Sequence, residues 1–156
     1  GDRRQPIDNA APAAQGARLR FPWAEVRPKL EKLAAKDADP WFGHVFNYRD
    51  PATGAHPMAT LGCRMRRFPA GFAGQDHKTR TNQAFHAFRG AGRVVADGRS
   101  IDWEEGDCFV VPSWATRRFE VEGKTDAYVF ESNDEPLLEK LGLLRSDLPA
   151  GLAAVA

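Results

Sequence analysis

The segment from Met58 to Asn133 most constrains the fold, because short strand-like stretches follow one another with turn residues about every ten positions. "MATLGCRMRRFP" places Leu61, Cys63 and Met65 on one face of a strand, "NQAFHAFRG" and "TRRFEVEG" alternate between apolar and polar residues, and "DAYVFES" predicts the last strand. "GRVVADGRSIDW" predicts two strands joined at Asp97-Gly98, a pair that suits a tight hairpin turn. "GDCFVVPSW" is a continuous apolar run and predicts a strand buried on both faces. Six or seven such strands predict an all-β sandwich or barrel.

Helical patterns flank the strands. In "FPWAEVRPKLEKLAAKDADP", the residues Val26, Leu30 and Leu33 recur at helical spacing. Pro28 is tolerated best in a first turn, so we predict a helix over about 27–36. A connector with a turn around "DPATG" follows.

A second helix is predicted in "SNDEPLLEKLGLL". Asn133 or Asp134 can cap its start, Pro136 suits its first turn, and Gly142 suits the position just after its end. Three leucines are expected to pack against the sheet: Leu137, Leu138 and Leu141.

Composition excludes several classes of protein. The 156 residues carry a formal net charge of +1 from 22 basic and 21 acidic residues. This balance gives no electrostatic signature of nucleic-acid or membrane binding. The chain has no apolar run of roughly 18 residues and no secretory signal, so we expect a cytoplasmic protein. Cys63 and Cys108 lack a CxxC partner and are expected to be free, buried thiols rather than a disulfide.

We divide the chain into four parts. Residues 1–20 are rich in Ala, Pro, Gly and polar residues and resemble a linker or tail. Residues 21–57 form a connecting helix and loop, 58–149 form the β-barrel with its C-terminal helix, and 150–156 are a tail. The chain begins with Gly, and we expect it to be a piece of a longer protein.

The order of glycines, histidine and proline resembles the two motifs of the cupin family, G-x5-H-x-H-x3/4-E-x6-G and G-x5-P-x-G-x2-H-x3-N. Gly71, His77 and Gly90 fit the first motif, and Gly106 and Pro112 fit the second. Trp114 stands where the second motif has its second glycine. We call this alignment the cupin frame. The resemblance implies a double-stranded β-helix, which is a jelly-roll-like barrel.

Further segments, over roughly residues 20–148, are similar to the C-terminal cupin of bicupin gentisate 1,2-dioxygenases and of their salicylate and 1-hydroxy-2-naphthoate relatives. These segments are "DWEEGD", "FVVPSW", "DAYVFESNDEPLLEKLGLLRSD", "FPWAEVRPKLEKL" and "RDPATGAHPMATL". That family implies an Fe(II)-dependent, ring-cleaving enzyme that binds iron through three histidines of its N-terminal cupin. That half is not in this sequence.

The cupin frame places most ligand positions on residues that do not bind iron. His77 keeps the first position, but Thr79, Gln83 and Arg117 occupy the others, and Val121 replaces the asparagine. A single imidazole beside a guanidinium is a poor Fe(II) site. We therefore predict no metal and no catalytic residue in this chain, while Fe(II) is implied for the parent protein.

Strand alternation predicts which side chains face the barrel interior. The candidate pocket residues are His77, Thr79, Gln83, Phe85, Arg117 and Phe119, with Val121 beside them. Two interpretations stay open. In one, these residues form a filled core in which His77, Gln83 and Arg117 bond to each other or lie near the barrel mouth, and a buried Arg117 would need a partner such as a carboxylate. In the other, Arg117 with His77 and Gln83 holds a small anion such as a carboxylate.

The remaining histidines and arginines give weaker signals. His86 has the opposite strand parity to His77, which argues against a non-standard metal site that contains both. His44, in the aromatic "WFGHVF", suggests a docking surface, and His56 lies in a turn. "RMRR" and the "RR" at 117 and 118 are by default taken as solvated strand faces, although strand parity places Arg117 inward.

We interpret the chain as the C-terminal, metal-free cupin of a gentisate 1,2-dioxygenase-like protein, with a structural, supporting role. Whether it is itself an enzyme stays open, and alone it is expected to be inactive. The expected partners are the missing N-terminal cupin, further copies of the chain, or a small aromatic or anionic ligand. The alternative is a stand-alone, non-enzymatic cupin that binds a small anionic ligand.

Overall fold

The computed structural model describes residues 18–149. Residues 1–17 of the tail expected at 1–20, and the whole tail expected at 150–156, therefore lie outside the described residues. The helices are α1 (Trp23–Glu31) and α2 (Glu135–Lys140), with a short 3-10 turn at Ala35–Asp37. The strands are β1 (His44–Asn47), β2 (Gly62–Phe68), β3 (Gln83–Arg89), β4 (Gly92–Ala96), β5 (Arg99–Trp103), β6 (Cys108–Val111), β7 (Arg117–Glu120) and β8 (Ala127–Asn133). Neither described helix is long and apolar enough to cross a membrane.

Two antiparallel sheets enclose the core and confirm the all-β prediction. One sheet has the strand order β1-β2-β8-β3-β6, and the other has the order β5-β4-β7. Aromatic rings fill the space between them. Phe68 stacks on Phe119 with ring centroids 4.9 Å apart, and Phe85 stacks on Phe109 at 5.1 Å. The segment 21–57 belongs to the same folded unit, because β1 pairs with β2.

The Asp97-Gly98 hairpin forms as predicted between β4 and β5. Both turn residues have positive φ, 46° at Asp97 and 77° at Gly98, as a type I′ turn requires. The Asp97 carboxylate accepts a hydrogen bond from the backbone N–H of Thr116 at 2.8 Å, which anchors the turn to the start of β7.

The prediction that "GDCFVVPSW" is buried on both faces is wrong. Phe109 and Val111 are buried, but Val110 is 64% exposed and Cys108 is exposed. The reason is topological: β6 is an edge strand and nothing among the described residues covers its outer face. Both cysteines are free, as expected, but the prediction that they are buried is wrong, because Cys63 is half-buried and Cys108 is exposed.

Helix α1 begins four residues earlier than predicted and ends at Glu31. Pro28 therefore lies inside the helix rather than in its first turn, on an exposed face. The helix still buries Val26 and Leu30, as their spacing indicates. Leu33 lies beyond the end of the helix and is exposed.

Helix α2 has the predicted bounds but not the predicted contacts. Pro136 lies in its first turn, and Gly142 follows its end with φ 66°. Leu138 is half-buried, but Leu137 and Leu141 are exposed, so the expectation that all three leucines pack on the sheet is wrong. This short helix buries Pro136 instead.

Candidate functional site

The backbone supports the cupin frame at its glycine positions. Gly71, Gly90 and Gly106 have φ of 74°, 79° and 96°, in the region that favours glycine. Trp114, at the fourth glycine position, has φ 64°. The motif's backbone geometry is therefore kept even where the side chain has changed.

The interior of the barrel receives the side chains that strand alternation predicts. Gln83 and Phe85 of β3 are buried, whereas Ala84 and His86 point to the opposite face. Arg117 and Phe119 of β7 are also fully buried. The other two candidate residues differ from each other. His77 is 1% exposed, whereas Thr79, at the end of the barrel, is only half-buried.

A buried ion pair between Arg66 of β2 and Glu131 of β8 occupies the centre of this interior. Both side chains are 0% exposed, and Arg66 Nε donates to Glu131 Oε2 at 2.6 Å. The guanidinium carbon lies 5.1 Å from the ring centroid of Phe42, 5.6 Å from that of Phe85 and 5.5 Å from that of Phe119. Three aromatic faces thus replace water around the cation.

The second oxygen of Glu131 joins the pair to its neighbours. Glu131 Oε1 accepts hydrogen bonds from Gln83 Nε2 at 2.9 Å and from Asn133 Nδ2 at 2.8 Å. Burial alone would raise the pKa of Glu131, but the Arg64 and Arg66 guanidiniums and the Asn133 hydrogen bond hold it at about 2. Glu131 is therefore an anion over the whole physiological pH range.

Arg117 completes the network from β7. Its Nη1 donates to Gln83 Oε1, and its other donors reach the carbonyl oxygens of Ala115 at 3.1 Å and Pro112 at 2.9 Å. Among the described residues, no carboxylate accepts a hydrogen bond from Arg117. Burial and the nearby Arg66 charge lower the pKa of Arg117 to about 10.

His77 lies beside these cations without bonding to them through its ring. Its backbone pairs with that of Arg117, with N–O distances of 3.0 and 2.9 Å. Its ring meets Phe42 edge-on at 5.1 Å, and neither ring nitrogen has a hydrogen-bond partner within the described part of the chain. Burial, with the charges of Arg66 and Arg117, lowers the pKa of His77 to about 4, so the imidazole is neutral near pH 7.

These residues do not fit an iron ion. The amide oxygen and nitrogen of Gln83 are already committed to Arg117 and Glu131. His77, the remaining ligand position of the cupin frame, faces two guanidiniums rather than carboxylates or a second imidazole. A divalent cation placed there would meet like charge and only one donor nitrogen.

The interior also has little free space at the end marked by Thr79 and Gln83. The cavity there measures about 30 Å³, which is room for a water or two. Phe42 lines it, and Leu144 and Leu148 of the segment after α2 close it. An aromatic acid does not fit this cavity. The use of these residues as a ligand pocket stays a prediction, and Gln83 and Arg117 bond to each other rather than facing open space.

Sequence reasoning missed the arginines of β2. Treating "RMRR" as a solvated face is wrong, because Arg64, Arg66 and Arg67 are all buried. Arg64 pairs with Glu135 of α2, and Arg67 pairs with Asp126 at 2.7 Å. Each charge is matched by a carboxylate far away in sequence, so no local pattern could reveal it. At positions 117 and 118 the solvated default is wrong for Arg117, which is fully buried. Arg118 is one-third exposed and bonds to Glu120 and Asp76, in agreement with a solvated position.

The other histidines do not contribute to the interior. His44 is buried, with Nε2 3.1 Å from the Ala34 carbonyl, so its own ring does not face a partner, and a docking role for "WFGHVF" stays a prediction. His86 lies half-buried on the outer face of β3, away from His77, as its parity predicts.

One group of metal-capable side chains occurs among the described residues, outside the barrel. His56, Glu135 and Glu139 offer ligand atoms within 4.8 Å of one another. Arg64 is bound to Glu135, and burial and Arg49 lower the pKa of His56. We regard this group as an extension of the ion-pair network.

Comparisons with known proteins find a cupin domain and similarity to 1,2-dioxygenases. Residues 64–132 match the cupin domain. The 5-aminosalicylate 1,2-dioxygenase of Comamonas sp is 32% identical over 129 residues, covering 81% of this chain and 34% of that protein. The 1-hydroxy-2-naphthoate 1,2-dioxygenase of Nocardioides sp. (strain KP7) is 30% identical over 137 residues, covering 87% and 35%.

The structural comparison gives the same result. Salicylate 1,2-dioxygenase from Pseudoaminobacter salicylatoxidans, crystallised as adducts with gentisate, superposes with a TM-score of 0.74 and 31% identity over 83% of this chain and 37% of that one. The chain therefore spans about a third of the length of the relatives it matches.

Proposed function

Because this chain belongs to the cupin family and has homologues among gentisate, salicylate and 1-hydroxy-2-naphthoate dioxygenases, we propose that it is the metal-free cupin of such a dioxygenase. In this proposal the chain supports, by packing, a ring-cleaving centre that lies in another part of the parent protein.

The observation that carries the proposal is the content of the barrel interior. Where a metal-binding cupin needs several ligands around a cavity, this chain has Arg66, Glu131, Gln83 and Arg117 in one bonded network. The hydrogen bonds of this network occupy the polar atoms that could otherwise bind iron or a substrate carboxylate. Paired ions and stacked rings of this kind favour a single rigid arrangement, which suits a scaffold.

The greater length of the relatives supports the same proposal. Relatives that align with nearly the whole described chain contain about twice as much additional sequence. The resemblance to bicupin dioxygenases implies that this additional part includes the iron-binding cupin. Cleavage of a hydroxylated aromatic acid by O₂, with Fe(II), would take place there, and no step of it is assigned to a residue of this chain. The relatives favour this proposal over the stand-alone anion-binding cupin.

The test uses the purified 156-residue chain, loaded anaerobically with Fe(II), desalted and then supplied with gentisate in air. We expect no stoichiometric iron by elemental analysis and no ring-cleavage product by ultraviolet absorbance. A purified salicylate 1,2-dioxygenase treated identically is the positive control. Iron-dependent loss of gentisate with this chain alone would overturn the proposal.

The origin of the chain has its own test. Mass spectrometry of the native protein from its source should reveal a longer polypeptide that contains this sequence and binds iron. A native protein of only this length, free of iron, would contradict the assignment to a larger dioxygenase.

A further inference from the structure

We propose that His56, Glu135 and Glu139 bind one divalent transition-metal ion such as Zn²⁺, outside the barrel. The connector between β1 and β2 supplies His56, and α2 supplies both glutamates. One ring nitrogen of His56 and one carboxylate oxygen of each glutamate lie within 4.8 Å of one another. A zinc ion with bonds of about 2.0–2.2 Å holds its ligand atoms roughly 3.4 Å apart. Small side-chain rotations can reach that spacing, because the Glu139 side chain is 46% exposed.

The imidazole of His56 is the group that most needs a partner. Both of its ring nitrogens are shielded from solvent, and neither has a hydrogen-bond partner among the described residues. Buried polar atoms of folded proteins are nearly always matched by a protein group, a water or an ion. His56 Nε2 lies 4.0 Å from Glu139 Oε2, which is too long for a hydrogen bond but close to the spacing of two ligands on one ion. A metal ion between them would satisfy the nitrogen.

The two segments that carry the ligands are already joined. Glu135 and Glu139 are four residues apart on α2, so both project from the same face of the helix. Lys140, at the end of α2, donates from Nζ to the carbonyl oxygen of Ala59 at 2.7 Å, three residues after His56 in the connector. Little ordering of the backbone is therefore needed before a metal ion can bind.

Arg64 orients one of the ligands. Its Nη2 donates to Glu135 Oε2, which joins the group to the buried ion pair. A carboxylate has two oxygens, so Glu135 can bind a metal ion through Oε1 while Oε2 stays on Arg64. Metal-binding carboxylates commonly keep such an outer hydrogen bond. Arg49 is a second nearby cation, and its Nη1 donates to the Gly54 carbonyl at 3.2 Å. Two carboxylates thus face two arginines, and the imidazole rather than net charge selects the ion.

The donor atoms favour one class of metal. One imidazole nitrogen with two carboxylate oxygens suits Zn²⁺ better than Mg²⁺ or Ca²⁺, which prefer oxygen ligands alone. Fe²⁺ binds such donors more weakly than Zn²⁺, so a desalted chain should not keep iron here. The inference does not depend on the proposed function, which concerns the barrel interior.

The experiment is isothermal titration calorimetry of Zn²⁺ into the chelator-treated 156-residue chain. We expect one ion per chain, and a melting temperature that rises with Zn²⁺ because only the folded chain brings the connector to α2. His56→Asn and Glu139→Gln should each weaken binding by about 10-fold or more. Their matched controls are His86→Asn on the outer face of β3 and Glu105→Gln at an exposed position, and both should leave the affinity unchanged.

The ring of His56 gives a second measurement. In nuclear magnetic resonance spectra, Zn²⁺ should shift the ring signals of His56 and leave those of the other three histidines in place. A chain with both Cys63→Ser and Cys108→Ser should bind Zn²⁺ as tightly as the wild type, because no thiolate takes part. Circular dichroism in zinc-free buffer checks that each variant is folded.

Three results would each overturn the proposal. The first is the absence of saturable binding at one ion per chain. The second is binding that His56→Asn and Glu139→Gln both leave unchanged. The third is binding that is lost in the double cysteine variant.

Discussion

Glu131 Oε2 accepts a hydrogen bond from Arg66 Nε at 2.6 Å, and both side chains are withdrawn completely from solvent. Neither residue belongs to the cupin frame, yet their ion pair fixes the hydrogen-bond partners of the polar residues in the interior. The carboxylate orients Gln83 as well as Arg66, and Gln83 in turn accepts from Arg117. The frame positions Gln83 and Arg117 are thus linked through an anion that the motif does not contain.

The first prediction concerns Glu131→Gln. This change removes the charge that neutralises Arg66 and leaves a buried, unpaired cation, so we expect a loss of about 3–5 kcal/mol of unfolding free energy. Equilibrium denaturation in urea measures it. The control is Asp102→Asn, which breaks the Arg93–Asp102 pair, of the same bond length, between β4 and β5, where both side chains are exposed to solvent. This pair is solvated, so its loss should have little effect. Equal losses in the two variants would contradict a decisive role for burial.

The second prediction concerns Arg67, which ties α1 to the sheet. Its Nη1 donates to the carbonyl oxygens of Leu30 and Leu33 at 2.7 and 2.9 Å, at the end of the helix, while its Nε pairs with Asp126. A lysine ammonium cannot reproduce this planar fork, so Arg67→Lys should cost about 1–3 kcal/mol. Hydrogen exchange should show faster exchange at the end of α1.

The control for Arg67 is Arg89→Lys, at an exposed position at the end of β3. This variant also replaces a guanidinium with an ammonium group. It should leave both the free energy of unfolding and the hydrogen exchange of α1 unchanged. If Arg67→Lys behaves like Arg89→Lys, the contacts with the helix carbonyls do not hold α1 in place.

The parts of this fold that local rules determine were predictable from sequence. Asp97-Gly98 forms its hairpin because two adjacent residues with positive φ need no distant support. The inward alternation of Gln83 and Phe85 follows from strand geometry alone. The Arg66–Glu131 pair was not predictable, since 65 residues separate the partners and a charged strand position is exposed by default. The exposed outer face of β6 was missed because an apolar run does not reveal whether a strand lies at a sheet edge.

The third prediction compares two glycines with nearly the same backbone. Gly43 and Gly54 have φ of 68° and 71°, so alanine is strained at both by about 1 kcal/mol. A Cβ at Gly54 would meet no atom within 4 Å, whereas a Cβ at Gly43 would lie 2.7 Å from the carbonyl oxygen of Arg67. Gly43→Ala should therefore lower the melting temperature clearly more than Gly54→Ala. Equal decreases in melting temperature would mean that β1 can move away from β2 without a loss of stability.

The fourth prediction is the acid sensitivity that His77 confers. Its pKa falls from 6.5 to about 4 in the folded state, so the unfolded chain binds more protons between these values. The stability due to the neutral imidazole is complete above pH 6.5 and declines as pH falls to 4. A shift of this size corresponds to about 3 kcal/mol. His77→Leu removes the titrating group and two unpaired buried nitrogens, so its unfolding free energy should fall less over that range.

Denaturant titrations of wild type and His77→Leu at intervals from pH 7.5 to 4 measure this difference. The pKa values of His44 and His56 are also lowered, and that of Glu131 is held at about 2, but these groups are present in both proteins and cancel in the comparison. The stability difference between the two proteins should therefore shift toward the variant by up to about 3 kcal/mol as pH falls, because only the wild type must protonate a side chain that lies beside Arg66 and Arg117. Parallel curves would show that His77 titrates normally in the folded chain, and therefore that water or an anion reaches its ring.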